Sequence, residues 1–220
     1  MALGATETKL SQLAPRSGER AVFLGQTGSG KTYFMRSLLG AYLSRRQLFV
    51  VDTKHDPAWS RLPGARYVAT LGALQRAKFP RVPLVVWRPS GLEASDFGVF
   101  DAFYSWLYAR GNSVVFVDEV AQTVQGSTSY GAGFADVITR GRVRGIVACF
   151  GSQRPVLVPR IIYSESQRFY VFFVSDKRDR ETIAAFTNPA LSAEVPDTHG
   201  FWYYNTKTRK PAYFSGLDLA

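Results

Sequence analysis

The sequence predicts an α/β fold in three layers, a mainly parallel central sheet with helices on both faces and a β-hairpin at the C-terminal end. Three observations carry this. Short continuous apolar runs alternate with segments of helical period, the pattern of strands buried on both faces. The first of these runs enters a glycine-rich turn that opens a helix, in AVFLGQTGSGKTYF at residues 21–34. The closing stretch GFWYYNTKTRKPAYFSG places two aromatic runs around a polar turn.

Taken in order, Ala21–Leu24 reads as a buried strand and Lys31–Arg45 as a helix with Phe34, Leu38, Leu39 and Tyr42 on one face. Gln47–Val51 is a second strand, ending at Asp52. Arg66–Thr70 is a short strand, Leu71–Ala77 a helix and Leu84–Trp87 a strand. Ala94–Arg110 is a helix with Phe97, Phe100, Phe103 and Leu107 at helical spacing, closed by Gly111. Ser113–Val117 is a strand, Gln122–Gly133 a polar, glycine-rich loop, and Phe134–Arg140 a helix. Gly145–Phe150 and Arg168–Val174 are strands, Asp179–Phe186 is a helix, and the hairpin turns around Asn205–Arg209. The chain is expected to be one domain over residues 1–220, with 1–18 as an N-terminal extension and 196–217 as the C-terminal hairpin.

The 220 residues are 46% apolar, enough for a core and too many for a disordered chain. No apolar run is long enough to cross a bilayer, and the first residues carry no apolar signal core, so a cytoplasmic protein is expected. Cys149, the single cysteine, excludes an internal disulfide and reads as a buried thiol. His55 and His199 have no spacing that suggests zinc; His55 follows the second strand, with a structural role in its loop or a direct one at the active edge. The formal charge of +10 favours a polyanionic partner.

The glycine-rich turn is Gly25-x-x-x-x-Gly30-Lys31-Thr32, filled by Gln26, Thr27, Gly28 and Ser29. Glycines let successive backbone N–H groups converge on an anion, and the helix that follows adds its positive end. Lys31 can reach the outer phosphates of ATP and the Thr32 hydroxyl can ligate Mg²⁺. A strand before and a helix after are the context this mechanism needs, so the fold is expected to be that of a P-loop NTPase of the ASCE or RecA-like kind.

In SVVFVDE an apolar strand ends in Asp118 and Glu119. Asp118 is placed to hold Mg²⁺ and Glu119 to orient and deprotonate an attacking water. The second acid favours hydrolysis over phosphoryl transfer to a small molecule. Gln153, after the Gly145–Phe150 strand, is expected to face the γ-phosphate and sense it. Arg140, Arg142 and Arg144 alternate, as if lining one side of an extended segment. One of them, presented to a neighbouring subunit's γ-phosphate, would stabilise transition-state charge; otherwise they contact phosphate backbone or face solvent.

GQTGSGKT, VVDTKHD, VVFVDE and GRVRGIVACFGSQRP together resemble the FtsK–HerA superfamily of ring-forming DNA-pumping ATPases, over most of the chain. The last stretch is the most diagnostic, a glycine–arginine pair, a strand and a Ser-Gln-Arg-Pro run. The resemblance implies Arg142 as the finger, with Arg140 and Arg144 as runners-up, and Gln153 as the sensor. The chain lacks the large members' membrane segment and winged-helix reader. It is similar to the genome-packaging ATPases of tailless, often membrane-containing, icosahedral double-stranded DNA viruses. That resemblance implies double-stranded DNA bound without sequence specificity, a homo-oligomeric ring of five or six subunits, and docking to capsid vertex or membrane proteins. Lys54, the 122–133 loop, Lys207, Arg209 and Lys210 are the candidate DNA contacts. Three other readings stay open: a HerA-like cellular or plasmid DNA motor, an assembly or secretion ATPase acting on protein at a membrane, and a nucleotide kinase, which the acid pair and Gln153 weaken.

Overall fold

The computed structural model describes residues 10–43, 45–78, 81–196 and 198–215. The described residues contain nine strands in one sheet: β1 (Arg20–Leu24), β2 (Gln47–Val51), β3 (Ala65–Val68), β4 (Leu84–Trp87), β5 (Ser113–Val117), β6 (Val147–Ser152), β7 (Arg168–Val171), β8 (Phe201–Asn205) and β9 (Pro211–Phe214). Their order is β3-β4-β2-β5-β6-β1-β7-β8-β9. The first seven pair in parallel. β8 and β9 add antiparallel as the expected hairpin. The helices that lie wholly within the described residues are α1 (Lys31–Ser37), α2 (Leu71–Gln75), α3 (Phe97–Arg110), α4 (Ala132–Arg140), α5 (Arg160–Glu165) and α6 (Lys177–Phe186).

Alternation along each strand makes two cores. Val22, Leu24, Val115 and Val117 point to the face covered by α3, α4, α5 and α6, where Phe100, Phe103, Phe134 and Ile183 are fully or almost fully buried. Ala21, Phe23, Val114 and Phe116 point to the other face, against α1 and Trp59. Each large apolar side chain removed from water contributes roughly 1.5–3 kcal/mol. Cys149 is buried there as a free thiol, and burial pushes its ionisation well up.

Several boundaries differ from the sequence reading. The helix expected over 31–45 is α only to Ser37 and continues as a 3₁₀ turn, Leu38–Ala41. This tighter turn buries both Leu38 and Leu39, and the Tyr42 hydroxyl then donates to the Pro15 carbonyl at 2.6 Å. α3 starts at Phe97, where the Asp96 carboxylate caps Gly98 N at 2.8 Å, and Gly91–Ala94 forms a separate 3₁₀ turn. β6 starts two residues later and ends two residues later than expected, because Gly145 (φ 68°) belongs to a turn. β7 ends at Val171, not Val174. α5 had no sequence signal: six residues after Pro159 are too few to show a period.

Residues 10–18 of the expected extension are built into the fold. Leu13 and Ala14 are buried, and the Leu13 carbonyl accepts from Arg168 Nη1 (3.1 Å) and from the Tyr170 hydroxyl. Residues 1–9 and the last two residues of the expected 196–217 hairpin segment lie outside the described residues. Glu19 ties this region together. It accepts from Arg16 N (2.9 Å), Arg168 Nε (2.7 Å) and Lys207 Nζ (3.3 Å). Burial pushes the Glu19 carboxyl up, but these donors outweigh it and hold the group below its usual value.

Candidate active site

Parallel strands bring their carboxyl ends to one edge, and the loops after β1, β2, β5 and β6 meet there. The turn after β1 is pinned on both sides: Gly25 N donates to the Ser152 carbonyl (3.1 Å) and Gln26 N to the Phe173 carbonyl (3.0 Å). Gly28 and Gly30 take φ of 80° and 89°, the left-handed region that curls the backbone round an anion. Ser29 Oγ is buried without a partner among the described residues. Lys31 is 3% exposed, its Nζ 3.2 Å from the Asp118 carbonyl and 3.7 Å from Asp118 Oδ1. Thr32 Oγ1 donates to Asp118 Oδ1 at 3.0 Å. A hydroxyl and a carboxylate together are the hard oxygen set that a phosphate-bound Mg²⁺ takes.

Glu119 is 5% exposed and held by three donors. Ser152 Oγ lies 2.6 Å from Oε1, Lys54 Nζ 2.8 Å from Oε2, and Gln153 N 3.1 Å from Oε2. Gln153 lines the same cavity of about 510 Å³ as Gly28, Gly30, Lys31 and Thr32. Just beyond it, Arg154 Nε donates to Asp179 on α6 (3.0 Å), so the segment is fixed on both sides of Gln153. At Gly151 a side chain has no room: a Cβ would lie 2.4 Å from the Asp118 carbonyl and 3.2 Å from Lys31 Nζ.

The arginines are not on an extended segment. Arg140 ends α4, and 141–145 is a series of turns closed by Ile146 N on the Gly141 carbonyl (3.0 Å). Arg140 pairs with Asp136, and Arg144 donates to the Tyr108 (3.1 Å) and Ala109 carbonyls. Arg142 is exposed, and its guanidinium has no hydrogen bond or ion pair among the described residues. All three precede β6, whose far end carries Ser152. Six strand residues span roughly 20 Å, so Arg142 cannot reach its own chain's phosphate loop.

The candidate DNA contacts also divide. Lys54 and the 122–133 loop share the edge of the phosphate loop, whereas Lys207, Arg209 and Lys210 sit in the hairpin turn at the opposite edge, near the start of β7. His55 is exposed at φ 55°, its Nε2 3.4 Å from the Pro89 carbonyl, and does not line the cavity.

The sequence reading missed several neighbours of the site. Ser152 lay inside a stretch read for Gln153, and Lys54 was read as a DNA contact and not as a partner of Glu119. His199 lines the cavity, its ring 3.3 Å from where a Gly30 Cβ would be, and only tertiary folding brings it there. Asp52, fully buried, holds the second loop: it accepts from Arg88 Nε (2.7 Å) and Asp56 N (2.9 Å). Burial raises its carboxyl above the usual value against those donors, and nearby Asp118 adds to the rise.

No family model matches the chain. A curated relative does: the DNA packaging ATPase P9 of Enterobacteria phage PRD1 is 30% identical over 173 residues, which cover 78% of this chain and 71% of the relative. The chain belongs to the viral DNA-packaging ATPases. Solved structures share the fold of this packaging ATPase. The genome packaging NTPase B204 from Sulfolobus turreted icosahedral virus 2, in complex with ATP-gammaS, superposes with a TM-score of 0.72 at 13% identity, covering 90% of this chain and 98% of that one. VirB4 of Thermoanaerobacter pseudethanolicus gives 0.63 at 11% identity, over 92% and 89%. The packaging ATPase is thus a nucleotide-binding P-loop protein with a mostly parallel sheet.

Proposed function

We propose that the chain is a motor that couples hydrolysis of Mg²⁺–ATP to the movement of double-stranded DNA of any sequence into a viral capsid. The observation that carries this is the meeting at one sheet edge of a phosphate cradle, Lys31, Thr32, Asp118, Glu119 and Gln153, in a chain of the packaging family. Gly25 to Thr32 wrap the phosphates, and Lys31 carries the charge that matches them. Thr32 and Asp118 would hold the metal, which would neutralise charge on the phosphates. Glu119 orients a water and takes its proton. Gln153 faces the γ-phosphate.

Arg142 acts on a neighbour's nucleotide in a homo-oligomeric ring of five or six chains. Its distance from its own phosphate loop supports this, as does Val143, an apolar side chain left 84% exposed beside it. The +10 charge supports a backbone-tracking contact with DNA. No helix among the described residues is long and apolar enough to cross a membrane. The motor works in the host cytoplasm, docked at a packaging vertex.

The test is ATP hydrolysis with and without duplex DNA over a salt series. Stimulation by duplexes of unrelated sequence, fading as salt rises, is expected. An ATPase indifferent to DNA at every salt concentration points instead to work on protein.

A further inference from the structure

The geometry points to a phosphodiester-binding cleft at the amino edge of the parallel strands, opposite the nucleotide site, built by Arg45, Arg46 and Arg110 and fitted to the backbone of duplex DNA. The inference rests on the proposed DNA motor and deepens it by naming where the duplex is held. The segments that enter β1, β2, β4, β5 and β6 carry Arg16, Arg45, Arg46, Arg81, Arg110 and Arg142. The acids in the segments that enter the parallel strands are Glu19 and Glu165, and Arg168 (2.7 Å) and Arg20 (3.3 Å) already pair with them. At the carboxyl edge, Lys31, Lys54 and Arg88 each have an acid beside them, Asp118, Glu119 and Asp52. Uncompensated positive charge therefore gathers at the amino edge, and a polyanion is drawn there.

Arg45, Arg46, Gln47, Arg110, Gly111 and Asn112 line a cavity of about 300 Å³ where the chain enters β2 and β5. Neutral oxygens hold its guanidiniums. Arg46 donates to the Gly145 carbonyl and to Ser17 Oγ (2.8 Å). Arg110 donates to Gln47 Oε1 and lies over the Trp106 and Phe49 rings, 5.4 and 5.9 Å from their centroids. Gln47 is itself fixed, its amide donating to the Val82 (3.0 Å) and Ala77 (3.3 Å) carbonyls. Arg45 is exposed, and its guanidinium has no hydrogen bond or ion pair among the described residues. A neutral acceptor orients a guanidinium without cancelling its charge, and five N–H groups leave donors over for an anion. The planar fork matches two oxygens of a phosphodiester. Side chains held in advance lose less entropy on binding. The C-terminal carbonyls of α3 oppose an anion here, but Arg144 covers two of them, Tyr108 (3.1 Å) and Ala109. Contacts to phosphate alone carry no sequence preference. Arg142 does not line the cleft, so the finger stays free for a neighbour's nucleotide.

The test is the affinity for a mixed-sequence DNA duplex, read by fluorescence anisotropy over a salt series. It compares wild type, Arg45→Gln, Arg45→Lys, the pair Arg45→Gln with Arg110→Gln, and Arg178→Gln, each first shown to be folded by a thermal melt. Arg178 is exposed at the start of α6, on the opposite edge, and its loss changes the net charge equally. Arg45→Gln should bind about tenfold more weakly at low salt, the worth of one charge-assisted hydrogen bond. Its slope of log affinity against log salt should shrink by about 0.9, and that of the pair by about twice as much. Arg45→Lys should keep the slope, and Arg178→Gln should keep both slope and affinity. Arg45 has no side-chain partner to lose, so Arg45→Gln decides the matter even if the pair is unstable. Unchanged affinity and slope in Arg45→Gln, or an equal loss in Arg178→Gln, overturns the cleft and leaves the motor reading intact. A wild type that binds no duplex at any salt concentration overturns both.

Discussion

Gly151 is where the sheet and the site meet, and Gly151→Ala tests the packing between β5 and β6. The added Cβ would lie 2.4 Å from the Asp118 carbonyl oxygen, an ångström inside the 3.4 Å at which ordinary contact begins. The obstacle is backbone just past the end of the central strand β5, so the two chain segments must part there. Overpacking of this kind costs about 2 kcal/mol. In a domain of this size that lowers Tm by about 4–8 °C. The effect on catalysis should be larger, because the displaced carbonyl accepts from Lys31 Nζ (3.2 Å) and the neighbouring carboxylate from Thr32 (3.0 Å). Misplacing such groups by about 1 Å costs on the order of a hundredfold in turnover. The assay is a thermal melt and steady-state ATP hydrolysis on the same preparations. Gly40→Ala is the control, since its Cβ meets nothing within 4 Å and should shift stability by less than about 0.5 kcal/mol. Wild-type melting and turnover in Gly151→Ala would refute the reasoning, because the carbonyl could not then sit where the packing places it.

Lys31→Ala should lose ATP binding and turnover together, measured by nucleotide titration and phosphate release, because it removes the buried cation of the cradle. Arg142→Ala and Glu119→Gln should each bind ATP and each hydrolyse it at about a thousandth of the normal rate or less, the typical worth of a finger arginine. Mixing the two, with co-assembly shown, should restore part of the activity by pairing an intact Glu119 with a neighbour's intact Arg142; no recovery removes the trans role. Glu19, held below its usual value of 4.5, contributes stability above that pH and loses it as pH falls through its folded value. Glu19→Gln should therefore lower Tm near neutrality, and melts in an acid series should show the gap to wild type closing below about pH 4.5. A gap that persists there would mean that Glu19 stabilises by shape and not by charge.

The parts of this molecule that were legible in the sequence are those set by contiguous residues. β2, β4 and β5 have the bounds read from the sequence, because a strand buried on both faces shows as one near-continuous apolar run, opened in β2 and β5 by the buried polar Gln47 and Ser113. The GQTGSGKT turn carries its own mechanism, since the glycines and the lysine act on one anion from adjacent positions. The 139–145 stretch failed for the converse reason. Alternating arginines look extended on paper, yet Gly141 and Gly145 turn the chain there, and the arginines part toward Asp136, the α3 carbonyls and solvent. Strand topology sends Arg142 to the edge opposite Glu119, a separation that no local pattern encodes. The least legible feature is the environment of Glu119. Its three donors come from residues 54, 152 and 153, and sequence spacing says nothing about 54 and 119 meeting. Their contact follows from β2 lying beside β5, which sets the loops after both strands side by side. The residues that perform phosphate chemistry are thus written locally, whereas the ion pair that Glu119 makes with Lys54 is a consequence of strand order. A chain with the same motifs and a different strand next to β5 would keep the phosphate cradle and lose that pairing.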